Sequence, residues 1–134
     1  MLIAPVVEEV FFRGLLVAVP VTVGGLRFWP TAIVSSLLFG ALHVPWNDQL
    51  NGTHIWPFLI TGCGGLWYAW LLWVFDWNRW TTIVLHSGIN AAWLIFAVAG
   101  GATGDGLWSN LGRAATIALG TVIALRHRQK LPEK

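Results

Sequence analysis

The chain has 134 residues, 56% of them hydrophobic and only 10% charged, with ten tryptophans and a mean hydropathy of +0.66. An ordinary soluble domain carries about 25% charged residues, so the composition excludes that class and points to a membrane protein. A net charge of +2 does not make nucleic acid a partner, because the basic residues collect at the C-terminal end, RHRQKLPEK, as a cytoplasmic flank would.

Five apolar segments follow in chain order. The first runs from about Ile3 to Val23, with Pro5 suited to a first turn, Pro20 expected to kink the last one, and Gly24 and Gly25 ending it. The second, about Thr31 to Val44, follows Pro30 and stops at Pro45; it is short for the roughly 30 Å hydrocarbon core of a bilayer. A turn-rich loop, Pro45 to Pro57, leads to the third segment, about Trp56 to Phe75, in which Gly62, Gly64 and Gly65 allow close helix approach. The fourth spans about Trp80 to Ala99, the glycine-rich stretch Gly100 to Gly106 intervenes, and the fifth covers about Leu107 to Leu125. The expected fold is therefore all-α, a polytopic transmembrane bundle of about five membrane helices. It forms one domain over residues 1–126, with a basic cytoplasmic tail at 127–134.

Orientation follows from the loops. With the C-terminus inside, Arg27 and Arg79 also fall inside and Asp48 and Asp105 outside, Arg113 being the exception. Trp29, Trp77 and Trp80 mark one interface and Trp46, Trp56 and Trp108 the other. The N-terminus has no basic region ahead of its apolar stretch and does not read as a cleaved signal. Five spans that begin at once on a polar motif lead us to expect further helices upstream. Cys63 is the single cysteine, so no disulfide forms within the chain.

That motif is EEVFFR, Glu8 to Arg13, set inside the first apolar segment. Each charge at a helix centre costs about 2.5–3.5 kcal/mol on insertion scales, which asks for a function. Glu9 and Arg13 lie one turn apart and can form an i,i+4 ion pair. Glu8 points elsewhere, free to face a cavity as a general base. The pairing of Glu9 with Arg13 by itself also has a plain structural reading, charge neutralisation.

Three more costly side chains lie deeper in the chain. His43 ends the second segment in FGALH, and His86 and Asn90 stand one turn apart in HSGIN of the fourth. A lone histidine or asparagine is more often a packing or helix-bridging residue. Three helices each contributing polar groups are better explained by one wet cavity. Glu8 with His43 can hold and deprotonate a water, and His86 with Asn90 can donate N–H groups to an oxygen that becomes negative during attack on a carbonyl. Glu8, His43 and His86 can equally form a His₂Glu zinc site with an open position, although no HExxH motif is present.

In order, EEVFFR matches E-E-x-x-x-R, FGALH matches F-x-x-x-H and HSGIN matches H-x-x-x-N. The trio resembles the three motifs of the CPBP family, the CAAX prenyl endopeptidases and the bacterial bacteriocin-processing or self-immunity proteins, over about Met1 to Trp93. The resemblance implies an intramembrane endopeptidase. Its catalytic acid falls on Glu8, the neighbouring acid on Glu9, the supporting arginine on Arg13 and the water-binding histidine on His43. His86 and Asn90 fall on the oxyanion-stabilising pair, and Phe39 is supporting. It leaves open whether one divalent metal, most naturally zinc, or a metal-free glutamate activates the water. The partners implied are a peptide substrate, prenylated in typical eukaryotic members, and the lipid bilayer of a prokaryotic plasma membrane.

Two other classes compete. One is a non-catalytic immunity or peptide-binding protein on the same fold; the other is a proton-coupled carrier or a bis-histidine haem protein using His43 and His86. The orientation above sets Glu8 and His43 toward the outer side and His86 toward the inner. Bringing them together requires a shifted or kinked helix, at Pro5, Pro20 or the short second segment.

Overall fold

The computed structural model describes residues 3–44, 46, 55–100 and 107–129, and every element among them is helical. The first rod is continuous but changes character along its length: α1 covers Ile3–Glu8, a π-helix, π1, covers Glu9–Ala18, and α2 covers Val19–Thr22. Then come α3, Phe28–Leu42; α4, Ile55–Val74; α5, Arg79–Gly100; and α6, Leu107–Gln129. The five rods follow the five apolar segments. The residues between Pro45 and His54, Trp46 excepted, lie outside the described residues, as do 101–106 and 130–134. Asp48, Asp105 and the end of the basic tail fall there.

Boundaries differ from expectation for local reasons. Helix α3 starts at Phe28, ahead of Pro30, because a proline within the first turn gives up an N–H that has no intrahelical partner anyway. Helix α6 continues to Gln129 with Arg126, His127 and Arg128 in its last turn, where cations complement the carbonyl end of the helix dipole. Aromatic rings at and just beyond the end of α4 hold that end: His127 stacks on Phe75 at 4.9 Å and the Arg128 guanidinium lies 5.6 Å from the Trp73 ring.

The π register was not foreshadowed by the sequence. Val19 N–H bonds to Gly14 O, five residues back rather than four, and the α register resumes with Pro20 in the first turn of α2. Gly25, at φ 67°, then turns the chain, and Leu26 N–H reaches Pro20 O at 3.0 Å.

Helix α4 is the hub, packing against π1, α3, α5 and α6. It joins two apolar clusters, Val17, Phe28, Ala32 and Ala69 on one flank and Tyr68, Leu71, Val74 and Ala124 on the other. Its approach to α3 depends on glycine: a Cβ on Gly40 would lie 2.7 Å from Phe58 O and 3.2 Å from Gly62 Cα. Interhelical hydrogen bonds add to this packing, Ser35 Oγ to Phe12 O and Trp67 Nε1 to Thr121 Oγ1, both 3.0 Å. Outward faces are apolar on every rod, with Phe11, Leu38, Ile60, Val84 and Leu119 exposed. Among the described residues, Ile55–Val74 is the one helix long and apolar enough to cross a membrane on that measure alone, and Phe28–Leu42 is apolar but shorter.

The packing of α5 resolves the depth conflict. Its first residue, Arg79, lies beside the middle of the first rod: its Cδ would be 3.6 Å from a Cβ on Gly14. Helix α5 is therefore shifted along the first rod, and His86, seven residues further on, comes level with Glu8 and Glu9. A Gly40→Ala substitution is expected to pry α3 from α4, an overpacking cost of about 1–3 kcal/mol. Thermal unfolding in detergent should show a lowered midpoint, whereas Gly64→Ala, facing open space, should leave it unchanged or raised.

Candidate active site

Glu8 ends α1 and Glu9 begins π1, so the two carboxylates straddle the change of register. Glu9 is fully buried and Arg13 is 1% exposed. Glu9 Oε1 stands 3.4 Å from Arg13 Nη1, the i,i+4 pair that the spacing suggests, and also 2.8 Å from His86 Nδ1. A carboxylate oxygen accepts, so the imidazole donates Nδ1–H to Glu9. The other ring nitrogen, Nε2, faces Glu8 Oε2 at 3.7 Å. The Glu8 side chain keeps 28% of its surface exposed, which makes it the accessible member of the group.

Arg13 is held by faces rather than by forks. Its guanidinium carbon is 4.3 Å from the Phe39 ring centroid and 5.4 Å from that of Tyr68. Neither terminal nitrogen has a hydrogen-bond partner in the structure, nor does Glu9 Oε2. The space for this arrangement comes from Gly65, where a Cβ would meet Arg13 Nη2 and Phe39 Cδ1, each at 3.2 Å. A desolvated cation over aromatic faces gains about 2 kcal/mol, and the flat, delocalised guanidinium suits this better than an ammonium.

The remaining motif residues are placed differently. His43 caps the C-terminal end of α3, is exposed, and donates Nδ1–H to Phe39 O at 2.8 Å, which leaves Nε2 as an acceptor. Its ring packs on Phe39 at 4.4 Å, and the same phenyl ring meets His86 edge-on at 6.3 Å. Asn90 is exposed one turn beyond His86 on α5. The polar groups thus pair otherwise than Glu8 with His43 and His86 with Asn90, since the closest partners of His86 are the two glutamates. Among the described residues no three His, Cys, Asp or Glu side chains gather as a metal would need. The expected set of Glu8, His43 and His86 is not drawn together as a three-ligand cluster among the described residues: Glu8 faces His86 Nε2, whereas His43 sits at the exposed end of α3.

Two contributors escaped the motif reading. Gly65 lies among the close-packing glycines of the third apolar segment, and Tyr68 belongs to none of the three motifs. The available signal for the latter was that it is the single tyrosine of the chain, set within an apolar segment.

A carboxylate hydrogen-bonded to an imidazole, with a second and accessible carboxylate 3.7 Å from the other ring nitrogen, can orient and activate a water inside this all-helical apolar bundle. Residues 1–92 match the family model of the type II CAAX prenyl endopeptidases, described as Rce1-like, and the chain belongs to that family of membrane-embedded proteases. No curated protein and no solved structure matches it.

Arg13→Met would leave the buried Glu9 with His86 as its one remaining partner, and breaking a buried ion pair costs about 3–5 kcal/mol. Thermal unfolding should show a large fall in midpoint that the double variant Glu9→Gln/Arg13→Met partly recovers.

Proposed function

We propose that this chain is a multi-pass membrane endopeptidase whose nucleophilic water is activated by Glu8, with His86 as the electrophilic partner and Glu9 as its orienting carboxylate. The observation that carries this reading is the position of His86, Nδ1 on Glu9 at 2.8 Å and Nε2 toward Glu8 at 3.7 Å.

The chemistry balances with these residues alone. Glu8 takes a proton from water as the oxygen attacks the carbonyl carbon of the scissile peptide bond. Charge developing on the carbonyl oxygen is met by Nε2–H of a doubly protonated His86, while Glu9 stabilises the imidazolium from the other side, as the carboxylate of a catalytic triad does. The Asn90 amide, one turn along α5, is a second donor. The protonated Glu8 then delivers its proton to the departing nitrogen, the C–N bond breaks, and a carboxylate and an amine leave. His43, with Nε2 free to accept, holds the incoming water. These steps use the side chains alone, and none is routed through a metal.

The apolar outward faces, and the placing of Arg27 at the start of α3 and of Arg126 and Arg128 in the last turn of α6, the latter over Trp73 near the end of α4, support insertion across a bilayer with the C-terminus on the cytoplasmic side. A CAAX-terminated, prenylated peptide is the substrate class to try first, on the strength of the family.

Replacing Glu8 by Gln keeps shape and removes the base. Cleavage of a farnesylated CAAX peptide by the reconstituted protein should fall about 10²–10⁴-fold, with the helical circular dichroism unchanged; undiminished turnover would remove Glu8 from its role and favour a peptide-binding protein. Prolonged dialysis against a chelator should leave the rate unaltered, and a loss restored by added zinc would overturn the metal-free route.

A further inference from the structure

We infer that Tyr68 is a positioning residue for His86, its ring fixing the plane in which the imidazole keeps Nδ1 on Glu9 and Nε2 toward Glu8. The consequence for turnover rests on the catalytic reading above; the orientation itself does not.

His86 reaches out of α5 toward another rod, and the Glu9 hydrogen bond constrains one atom of its ring but not the tilt about that bond. Tyr68 supplies the missing constraint. Its ring lies 5.0 Å from the imidazole at an interplanar angle of 23°, an offset stack. Phe39 adds an edge-on contact at 81°. Tyr68 also lies 5.4 Å from the Arg13 guanidinium, so one ring touches both of the groups that flank Glu9 Oε1. It is 6% exposed and projects from α4, the helix against which the others pack, so its own position is well determined. An aliphatic side chain of similar volume would fill the space without presenting a flat face. The hydroxyl is not part of the argument; the aromatic plane is.

The test is nitrogen-15 NMR of histidine-labelled, full-length protein in detergent micelles, with His86→Ala used to identify the His86 signals among the four histidines of the chain. Wild type and Tyr68→Phe should show the same pair of His86 nitrogen shifts, with a hydrogen-bonded Nδ1–H signal. Tyr68→Leu should move that pair and weaken the Nδ1–H signal. On the farnesylated peptide, Tyr68→Phe should stay within about twofold of wild type. Tyr68→Leu should lower kcat about tenfold to a hundredfold at unchanged KM, the range expected for misplacement on the scale of 1 Å. Added to His86→Ala, it should cost nothing further. Unmoved His86 signals in Tyr68→Leu, equal losses in Tyr68→Phe and Tyr68→Leu, or additive losses in the double variant would each overturn the inference. If Tyr68→Leu does not fold, Tyr68→Met is read in the same way, and failure of both to fold while Tyr68→Phe folds makes Tyr68 a packing residue only. A wild-type protein that leaves the peptide uncut sinks the catalytic reading, while the NMR comparison still decides the role of Tyr68.

Discussion

One carboxylate oxygen, Glu9 Oε1, is shared between a guanidinium on its own helix and an imidazole on another, and the rest of the site depends on that sharing. A buried carboxylate, guanidinium and imidazole are each costly to take out of water, and the cost is tolerable only when they are taken together. Because Glu9 and Arg13 belong to the first rod and His86 to α5, satisfying the charges also docks the two rods at one height. The accessible Glu8 is thereby carried to the open nitrogen of His86 without any contact of its own needing to be strong.

Close helix approach makes that docking possible. Gly40 brings α3 against Phe58 and Gly62, and Gly65 opens the space into which Arg13 and Phe39 pack. With apolar residues on outward as well as inward faces, burial of hydrophobic surface discriminates little between one arrangement of these rods and another. Small residues, interhelical hydrogen bonds and aromatic contacts carry the specificity instead. Helix α4 gathers most of these devices, which is why residues on it, none of them charged, decide where the charged ones on its neighbours come to rest.

Much of this was legible in the chain. Charges inside an apolar segment are expensive enough to announce themselves, and the four-residue step from Glu9 to Arg13 foretells their pairing. The five rods follow from hydropathy and from the punctuation by Gly24 and Gly25. Three things were not legible. The partner of His86 is Glu9 rather than Asn90, because spacing along a helix says nothing about which face of another helix stands opposite. The offset of α5, which lets Arg79 lie over Gly14, is set by tertiary packing. The π register leaves no periodic trace in a stretch as uniformly apolar as GLLVA. Tyr68 was overlooked for a related reason: a tyrosine among tryptophans in a membrane segment reads as bulk until the ring beside it is known.

The widened turn has a consequence for how such a sequence can change. A π-helical stretch holds more residues per turn than its α-helical neighbours, so it accommodates length that a regular helix would not. Loss of one residue between Val10 and Ala18 would let the segment relax to the α form. Everything upstream, Glu8 included, would then turn relative to what lies downstream. Substitutions in this stretch leave that angular relation intact, whereas a single deletion would not, so the first rod should tolerate drift in composition far better than drift in length.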